Sequence, residues 1–160
     1  MRLSSRRLSS FASRNPRYEA ACREAFAKQS FMKTLGARVD SIAPGAAQLS
    51  VPSSAALLQH DGFFHAGVTV TLADTAGGLA ALSLFDEDAG VLSSEFKVSL
   101  LRPAVASPGS SLIARGRVIK LGRTMTVCAS DAFTREGDGG AEVHVATLLL
   151  TMVPTAGVRL

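Results

Sequence analysis

The spacing of hydrophobic residues changes near Gly90 and divides the chain into a helical half and a strand half. Between Ala66 and Phe85, small and apolar residues occur nearly all round a helical axis, which predicts a helix buried on most of its sides. After Gly90, apolar and polar residues alternate, which predicts a half-exposed strand. The predicted apolar face consists of Leu92, Phe96, Val98 and Leu100, and the predicted polar face of Ser93, Glu95, Lys97 and Ser99.

Cap and turn residues predict the elements that precede the long helix. Asn15-Pro16 is typical of a helix N-terminus, with Asn as the N-cap and Pro at the first helical position, and the predicted helix runs from Pro16 to about Lys33. Pro44-Gly45 separates "ARVDSIA" from "AAQLSVP", which predicts a β-hairpin. Residues 53–64 are predicted to be a loop that leads into the long helix.

Three more strands are predicted after the first one. "SLIARGRVIK" and "TMTVCASDAF" flank a tight turn at Leu121-Gly122, and the polar loop "REGDGG" leads into "AEVHVATLLLTMV". The tail "PTAGVRL" is predicted to be frayed. The order of helix, hairpin, buried helix and four-strand meander predicts an α+β fold, in which an antiparallel sheet of about six strands curls around one long central helix and an N-terminal helix lies outside.

Length and charge add a domain boundary and a leader. The 160 residues suit one domain, predicted over residues 18–155 with a tail at 156–160. Residues 1–17 carry five arginines and no acidic residue, and the rest of the chain has 12 basic and 13 acidic residues, a net charge of −1. This leader is typical of a transit peptide, which predicts a mitochondrial location, or of a disordered basic tail on a cytoplasmic protein. The near-neutral body argues against nucleic-acid binding.

Asp74 is the charged residue within the apolar run. An ionised, unpaired carboxylate in an apolar interior costs several kcal/mol, so Asp74 must be paired, hydrogen-bonded or close to water. Its position well inside the predicted helix makes a capping role a poor explanation. A structural hydrogen-bond network remains an alternative, but carboxylates flanked by residues such as Leu72, Ala73 and Ala76 rarely persist for packing alone. The pattern favours a catalytic role for Asp74.

His65-Ala66-Gly67 stands at the predicted start of the same helix. The first N–H groups of a helix have no intrahelical partner and carry a partial positive charge, so they can hold a carbonyl oxygen that becomes anionic. The Ala66 N–H is the predicted donor, and the small side chains of Ala66 and Gly67 leave room for a substrate. A histidine before a helix is also a common cap, and that alternative stays open for His65.

The sequence contains few motifs for other kinds of chemistry. There is no G-x-S-x-G motif, the histidines at 60, 65 and 144 lack metal-ligand spacing, and no Lys-Ser/Thr follows Gly77-Gly78 as a phosphate loop requires. No metal site is therefore predicted. Cys22 and Cys128 are predicted to be buried, reduced thiols. The run around Asp74 has about the length of a membrane span, but its polar interruptions favour a core helix.

"HAGVTVTLADTAGG" resembles the H-G-G-x-x-x-x-L-x-D-x-A-x-G signature of PaaI-type hotdog-fold acyl-CoA thioesterases. "VLSSEFKVSLLRPA" resembles the strand and Pro-Ala turn of the same family, and "ARGRVIKLGRTMTVCASDAF" resembles its G-R-T hairpin. The likeness covers roughly residues 30–153 in the family's order. It implies a curved sheet around one helix, homodimers often paired into tetramers, active sites between subunits, an acyl-CoA substrate and no cofactor beyond the coenzyme A of that substrate.

The resemblance also implies roles for individual residues. Asp74 aligns with the catalytic carboxylate, as general base or nucleophile, and Ala66 with the oxyanion donor. The implied supporting groups, in catalysis, are His65 at the thioester end, Gln59 where the family often has Asn, and Ser93 as the hydroxyl that orients water or the carboxylate. The implied substrate-binding residues are Gly67, Arg123 and Thr124, with Arg123 near a coenzyme A phosphate or, alternatively, a solvated turn residue.

Four rival interpretations remain. A hotdog acyl dehydratase would carry a His segment and a helix Glu that this chain lacks, and another thioesterase class places its Asp in an N-terminal loop that "ARVDSIAPG" does not match. A non-catalytic acyl-CoA-binding hotdog module would make Asp74 dispensable. A purely structural oligomer would leave Asp74 unexplained.

Overall fold

The computed structural model describes residues 11–156. Within them, six strands form one antiparallel sheet in the order β1-β2-β4-β5-β6-β3. The helices are α1 (Tyr18–Ala27), α2 (Ser30–Leu35) and α3 (Ala66–Leu82), with a short 3-10 helix at Ala55–Leu57, and the strands are β1 (Arg38–Ala43), β2 (Ala46–Pro52), β3 (Ala89–Leu100), β4 (Ser110–Lys120), β5 (Thr126–Glu136) and β6 (Glu142–Ala156).

The curved sheet wraps around α3, which contacts all six strands. Its second half, from Ala76 to Leu82, is buried, and small residues such as Ala76 and Gly77 there let the sheet approach closely. Gly116 of β4 illustrates the closeness, since a Cβ there would lie 2.2 Å from the Ala76 carbonyl oxygen. The predicted α+β hotdog arrangement is confirmed. No helix in the described part of the chain has the length and hydrophobicity needed to cross a membrane.

The single N-terminal helix predicted from Pro16 to Lys33 is wrong, because the chain breaks into α1 and α2 at Lys28–Gln29. Cys22 and Phe26 face the core, and an unbroken helix would bring polar residues to that face next. Extended backbone at Gln29 instead rephases the chain so that Met32 and Leu35 are buried.

The predicted cap at Asn15 is also wrong. Asn15 forms a turn before α1, in which its Oδ1 accepts from the Arg17 N–H at 2.8 Å and its carbonyl from the Tyr18 N–H at 3.1 Å. The helix therefore starts two residues later than predicted, and Arg17 is its N-cap.

The predicted faces of β3 are changed by a β-bulge between Ser93 and Glu95. Residues paired directly across strands share a face of the sheet. Ser93 is paired with Met152, and Phe96 with Leu150, both of which are buried against the helix side. The bulge therefore places Ser93 on the same face as Phe96, whereas the strict alternation predicted opposite faces, and it moves Leu92 to the outer face.

Two segments at the chain ends extend the predicted body. β6 continues through Pro154 to Ala156 beside β3, so the first part of the predicted frayed tail is strand. The missing N–H of Pro154 is tolerated because β5 begins at Thr126, opposite Met152, so no β5 residue lies opposite Pro154. Phe11 packs against the core beside Gly45. The remainder of the predicted leader and tail, residues 1–10 and 157–160, lies outside the described residues.

Candidate active site

Asp74 lies in the third turn of α3 and is half-buried without an ion pair among the described residues. Its Oδ1 accepts a hydrogen bond of 2.7 Å from the Ser93 hydroxyl. Burial raises the pKa of Asp74 above its ordinary value, and the Ser93 hydrogen bond partly opposes this by stabilising the carboxylate. Asp74 is thus a carboxylate with a raised affinity for protons, and it faces a cavity of about 610 Å³.

Ser93 reaches Asp74 because of the β3 bulge. Bulges commonly re-aim a side chain next to a functional site, and this one turns Ser93 to the helix side of the sheet. The Ser93 hydroxyl also lies 3.4 Å from the Met152 sulfur. Sequence analysis paired Ser93 with Asp74 through the family resemblance but missed Met152, since thioether contacts leave no pattern in a sequence.

His65 is the N-cap of α3, as its alternative interpretation predicted. Its Nδ1 accepts from the Gly67 N–H at 2.9 Å, so the neutral ring carries its hydrogen on Nε2. A Cβ at position 67 would lie 3.0 Å from that Nδ1. Gly67 therefore makes room for the cap, and its N–H is already engaged.

Ala66 carries the unengaged N–H at this helix start. It is the first residue of α3, and its N–H has no acceptor within residues 11–156. Ala66 is exposed and lines a second cavity of about 500 Å³ with Gln59, Thr69 and Leu100. An N–H at the positive end of a 17-residue helix, open to a cavity, can stabilise an oxyanion.

Gln59 closes the turn before this helix start. Its N–H donates to the Phe63 carbonyl at 2.9 Å, its carbonyl accepts from the Gly62 N–H at 3.1 Å, and its Oε1 accepts from the Asp61 N–H. The side-chain carbonyl is therefore engaged, and the Nε2 amide group is the end available to a substrate.

The candidate site residues fall into two groups. Asp74 and Ser93 line the first cavity, whereas Gln59 and Ala66 line the second. Ala66 and Asp74 are eight residues apart on α3, which is about 12 Å along the helix axis. One thioester carbonyl cannot contact both groups of a single chain, because each contact spans only about 3 Å.

Arg123 and Thr124 lie in the loop between β4 and β5, and neither lines the two cavities. This loop spans residues 121–125 and is longer than the predicted Leu121-Gly122 turn. Thr126, which follows it, is paired with Met152, and Met152 with Ser93. The loop therefore lies toward the same end of the sheet as Asp74.

The described residues offer few alternatives to the Asp74 site. No group of three or more His, Cys, Asp or Glu side chains among them is arranged to hold a metal ion. Burial raises the pKa of both Cys22 and Cys128 to about 12, so neither thiol is ionised near neutral pH. Asp131, the other half-buried carboxylate, is bound at 2.7 Å by both Arg117 and Thr147 on the outer face of the sheet.

We expect Ser93→Ala to shift the pH profile of any reaction in which Asp74 acts as a base or nucleophile. The Ser93 hydroxyl stabilises the Asp74 carboxylate, so its removal raises the pKa of Asp74 further. The ascending limb of the kcat/KM profile should therefore move to higher pH, with a lower rate at neutral pH. An unchanged ascending limb would contradict the assignment, and Ser99→Ala, on the same strand but away from Asp74, serves as control.

Asp74→Asn is expected to stabilise the fold at about pH 7. A raised folded-state pKa means that protonation of Asp74 stabilises the native state below the ordinary aspartate pKa, and that this contribution is lost as pH rises through the raised value. Asn avoids the buried charge, so its melting temperature should exceed the wild-type value by a few degrees at neutral pH. The difference should shrink in acid, and equal melting temperatures at both pH values would show that Asp74 is well solvated.

Comparisons with known proteins bear on the family and the fold of the chain. The model of the thioesterase superfamily matches residues 61–141. A Halobacterium salinarum protein named as an esterase is 34% identical over 113 residues, which are 68% of this chain and 72% of that protein. A crystal structure of a thioesterase family protein from Silicibacter pomeroyi has a TM-score of 0.81 and 42% identity, covering 88% of this chain and 99% of that one.

The PaaI protein from the phenylacetic acid degradation operon of E. coli shares the fold. Its TM-score is 0.75 at 22% identity, covering 88% of this chain and 95% of that chain. At that identity the similarity concerns the backbone arrangement alone. From the family match, the curated relative and the hotdog fold together, the chain belongs to the thioesterase superfamily.

Proposed function

We propose that the protein hydrolyses the thioester bond of an acyl-CoA. The observation that carries this proposal is the half-buried Asp74, which has no ion pair within residues 11–156 and accepts a hydrogen bond from the Ser93 hydroxyl at the edge of a cavity. A carboxylate with a raised pKa is better suited to accept a proton than an exposed one. A purely structural protein would gain nothing from such a carboxylate.

In the proposed reaction, Asp74 takes a proton from a water molecule whose oxygen attacks the thioester carbon. The carbonyl oxygen becomes an oxyanion and is stabilised by the Ala66 N–H. The C–S bond then breaks, coenzyme A leaves as a thiolate and takes up the proton held by Asp74, which restores the carboxylate, and the acid is released. Direct attack by Asp74 through a mixed anhydride, which water then hydrolyses, gives the same products.

The proposed active site is shared between two subunits, because Asp74 and Ala66 of one chain are too far apart. Their backbone separation along α3 is about 12 Å. The Asp74 side chain leans toward the helix N-terminus, but this lean does not close the gap. A second copy that supplies its own Ala66 N–H to Asp74 of the first would satisfy both contacts. A two-fold axis would create two such sites per dimer.

β3 is the proposed dimer edge. It is a 12-residue edge strand whose outer hydrogen-bonding side has no neighbour within the described residues. Phe96 is 45% exposed and Leu100 57% exposed. Long apolar edge strands are sites of strand pairing.

Antiparallel pairing of two β3 strands centred on Lys97 would build the shared site, with the bulged residues Ser93 and Ser94 together opposite one residue of the other strand. Such pairing would set Leu100 of one subunit beside Ser93 of the other. Leu100 lines the cavity of Ala66, and Ser93 lines that of Asp74. Further pairing into a dimer of dimers is proposed from the family likeness alone.

Binding roles follow for the remaining residues. His65 Nε2 and the Gln59 amide nitrogen are proposed to donate toward the thioester end of the substrate, since their other polar atoms are engaged in the turn. Arg123 and Thr124 are proposed to contact the coenzyme A moiety, Arg123 through a phosphate.

The test of this function is release of free thiol from a panel of acyl-CoAs by the purified protein, with size-exclusion chromatography run in parallel. Thioesterase activity on acyl-CoA in a dimer or larger assembly would support the proposal. Binding of acyl-CoA without hydrolysis would favour the non-catalytic binding module. A monomer with full activity would contradict the shared site.

A further inference from the structure

The adjacent glycines Gly77 and Gly78 of α3 have different surroundings. A Cβ at Gly77 would lie 3.1 Å from the Ser130 hydroxyl and 3.2 Å from a Leu150 methyl group, so Gly77 lets the sheet approach the helix. A Cβ at Gly78 would meet nothing closer than a Val91 methyl group at 4.0 Å. Gly78 opens into the cavity of Asp74, and close packing does not explain it.

Asp74, Gly78 and Leu82 form one stripe of α3, four residues apart, and all three line the Asp74 cavity. The stripe extends about 12 Å from Asp74 toward the end of the helix. Gly78 lies at its midpoint, where the missing side chain leaves the passage from Asp74 to Leu82 open. The cavity is therefore elongated, with the carboxylate at one end.

Helix α1 forms one wall of this cavity through the small side chains of Ala21 and Ala25. The adjacent face of α1 holds the helix in place. On that face Cys22 is fully buried, with its Sγ 3.6 Å from the Leu79 carbonyl oxygen of α3. Phe26, four residues after Cys22, packs against the core. A fixed helix that presents alanines to the cavity sets its width.

The other walls combine apolar side chains with polar ones. Val91 of β3 and Met152 of β6 line the cavity with the polar residues Thr75 and Ser93, and the exposed residues Glu24, Lys28 and Glu87 line it as well. An apolar group can therefore lie along the floor, and the charged side chains mark where the cavity meets water.

We propose that this cavity is the acyl channel, and that Gly78, Ala21 and Ala25 determine which acyl groups it accepts. The inference rests on the proposed thioesterase function and adds the substrate class, an unbranched apolar acyl chain of medium length. An extended chain advances about 1.3 Å per carbon, given C–C bonds of about 1.5 Å. The stripe of about 12 Å therefore accommodates about eight to ten carbons.

The position of the catalytic group sets where the acyl chain begins. Asp74 must reach the thioester carbon, directly or through one water molecule, so the acyl chain of a bound substrate begins beside Asp74. From that point it can extend along the Gly78 stripe, while coenzyme A leaves toward the cavity of Ala66 on the other subunit. Charge at the rim disfavours longer chains, whose ends would leave the apolar floor.

Gly78→Leu is the sharpest test, because it fills the channel without a clash at Cβ and improves helix propensity. We expect kcat/KM for octanoyl-CoA and decanoyl-CoA to fall on the order of tenfold or more, with acetyl-CoA hydrolysis changed far less. Ala25→Leu narrows the same channel from α1 and should shift the preference in the same direction. Ala27→Leu, an exposed position on α1 outside the cavity, is the matched control and should leave the chain-length profile unchanged.

Several outcomes separate the two proposals. An equal loss with acetyl-CoA and decanoyl-CoA, or an unchanged profile in both Gly78→Leu and Ala25→Leu, would overturn the channel without contradicting the proposed thioesterase function. A wild-type protein inert toward every acyl-CoA would reject the hydrolase. Calorimetric binding of decanoyl-CoA would then still decide the channel, since Gly78→Leu must weaken it and equal affinity would exclude it.

Discussion

Asp74→Asn is expected to lower kcat/KM for acyl-CoA hydrolysis by a factor of about 10² to 10⁴, the range that a positioned acid or base supplies. Asn has nearly the same shape and its carbonyl oxygen can still accept the hydrogen bond of 2.7 Å from Ser93. It can neither take a proton from water nor form a mixed anhydride. The loss should fall on kcat, because substrate binding does not require the charge.

The measurement is thiol release by wild type and variant under saturating and subsaturating substrate. Asp86→Asn is the matched control, since that carboxylate has 74% side-chain exposure in a surface pair with Arg14 and should keep full activity. Comparable turnover in wild type and Asp74→Asn would reject the catalytic assignment. A higher melting temperature of Asp74→Asn, together with lost activity, would exclude misfolding as the cause.

A single-turnover experiment addresses how Asp74 acts. With enzyme in excess and water enriched in ¹⁸O, a general base delivers one labelled oxygen to every product acid. Unlabelled acid in the first turnover can come only from the Asp74 carboxylate, after water attacks the Asp74 side of a mixed anhydride. That result would identify Asp74 as the nucleophile.

The main features of the fold could be predicted because each had strong local chemistry. Pro44-Gly45 turns the first hairpin, and the small, apolar run after His65 forms the buried helix that the sheet surrounds. The α1–α2 break has no comparable signal, since neither Lys28 nor Gln29 is a helix breaker. It follows instead from the need to bury Met32 and Leu35, which depends on tertiary packing.

Sequence reasoning predicted the residues of the candidate site better than their arrangement in space. Asp74 and Ser93 are hydrogen-bonded, yet periodicity placed Ser93 on the wrong face, because a bulge inserts a residue without any fixed sequence signature. The α1 wall of the Asp74 cavity was missed, although Ala21 and Ala25, four residues apart, give the small-residue pattern that accompanies it.

The separation of Asp74 from Ala66 has the largest consequence for the mechanism. Eight helical residues fix that separation whatever the side-chain conformations are. Family likeness alone suggested sites between subunits, whereas helix geometry supplies a physical reason for a second chain. The exposed apolar side chains of β3 indicate where that chain would pair.

Ala66→Pro is expected to reduce kcat by a factor of about 10² to 10³, the loss typical of one oxyanion donor. The change removes the proposed N–H and little else, because proline is favoured at the first position of a helix. His65, with φ −59° and ψ 137°, already has the extended backbone that a following proline requires. Ala66→Gly retains the N–H and is the matched control, with activity near that of wild type.

Mixing the two inactive chains tests the shared site directly. When Asp74→Asn and Ala66→Pro subunits are unfolded and refolded together at equal concentrations, half of the dimers are mixed, and each mixed dimer contains one intact and one doubly altered site. About a quarter of the wild-type activity should return, against about 1% or less for either variant refolded alone. Activity that stays at the level of the separate variants, despite mixed dimers detected by mass spectrometry, would mean that Asp74 works with the Ala66 amide of its own chain or with none. Recovery would require that the carboxylate of one subunit and the amide of the other act on the same thioester.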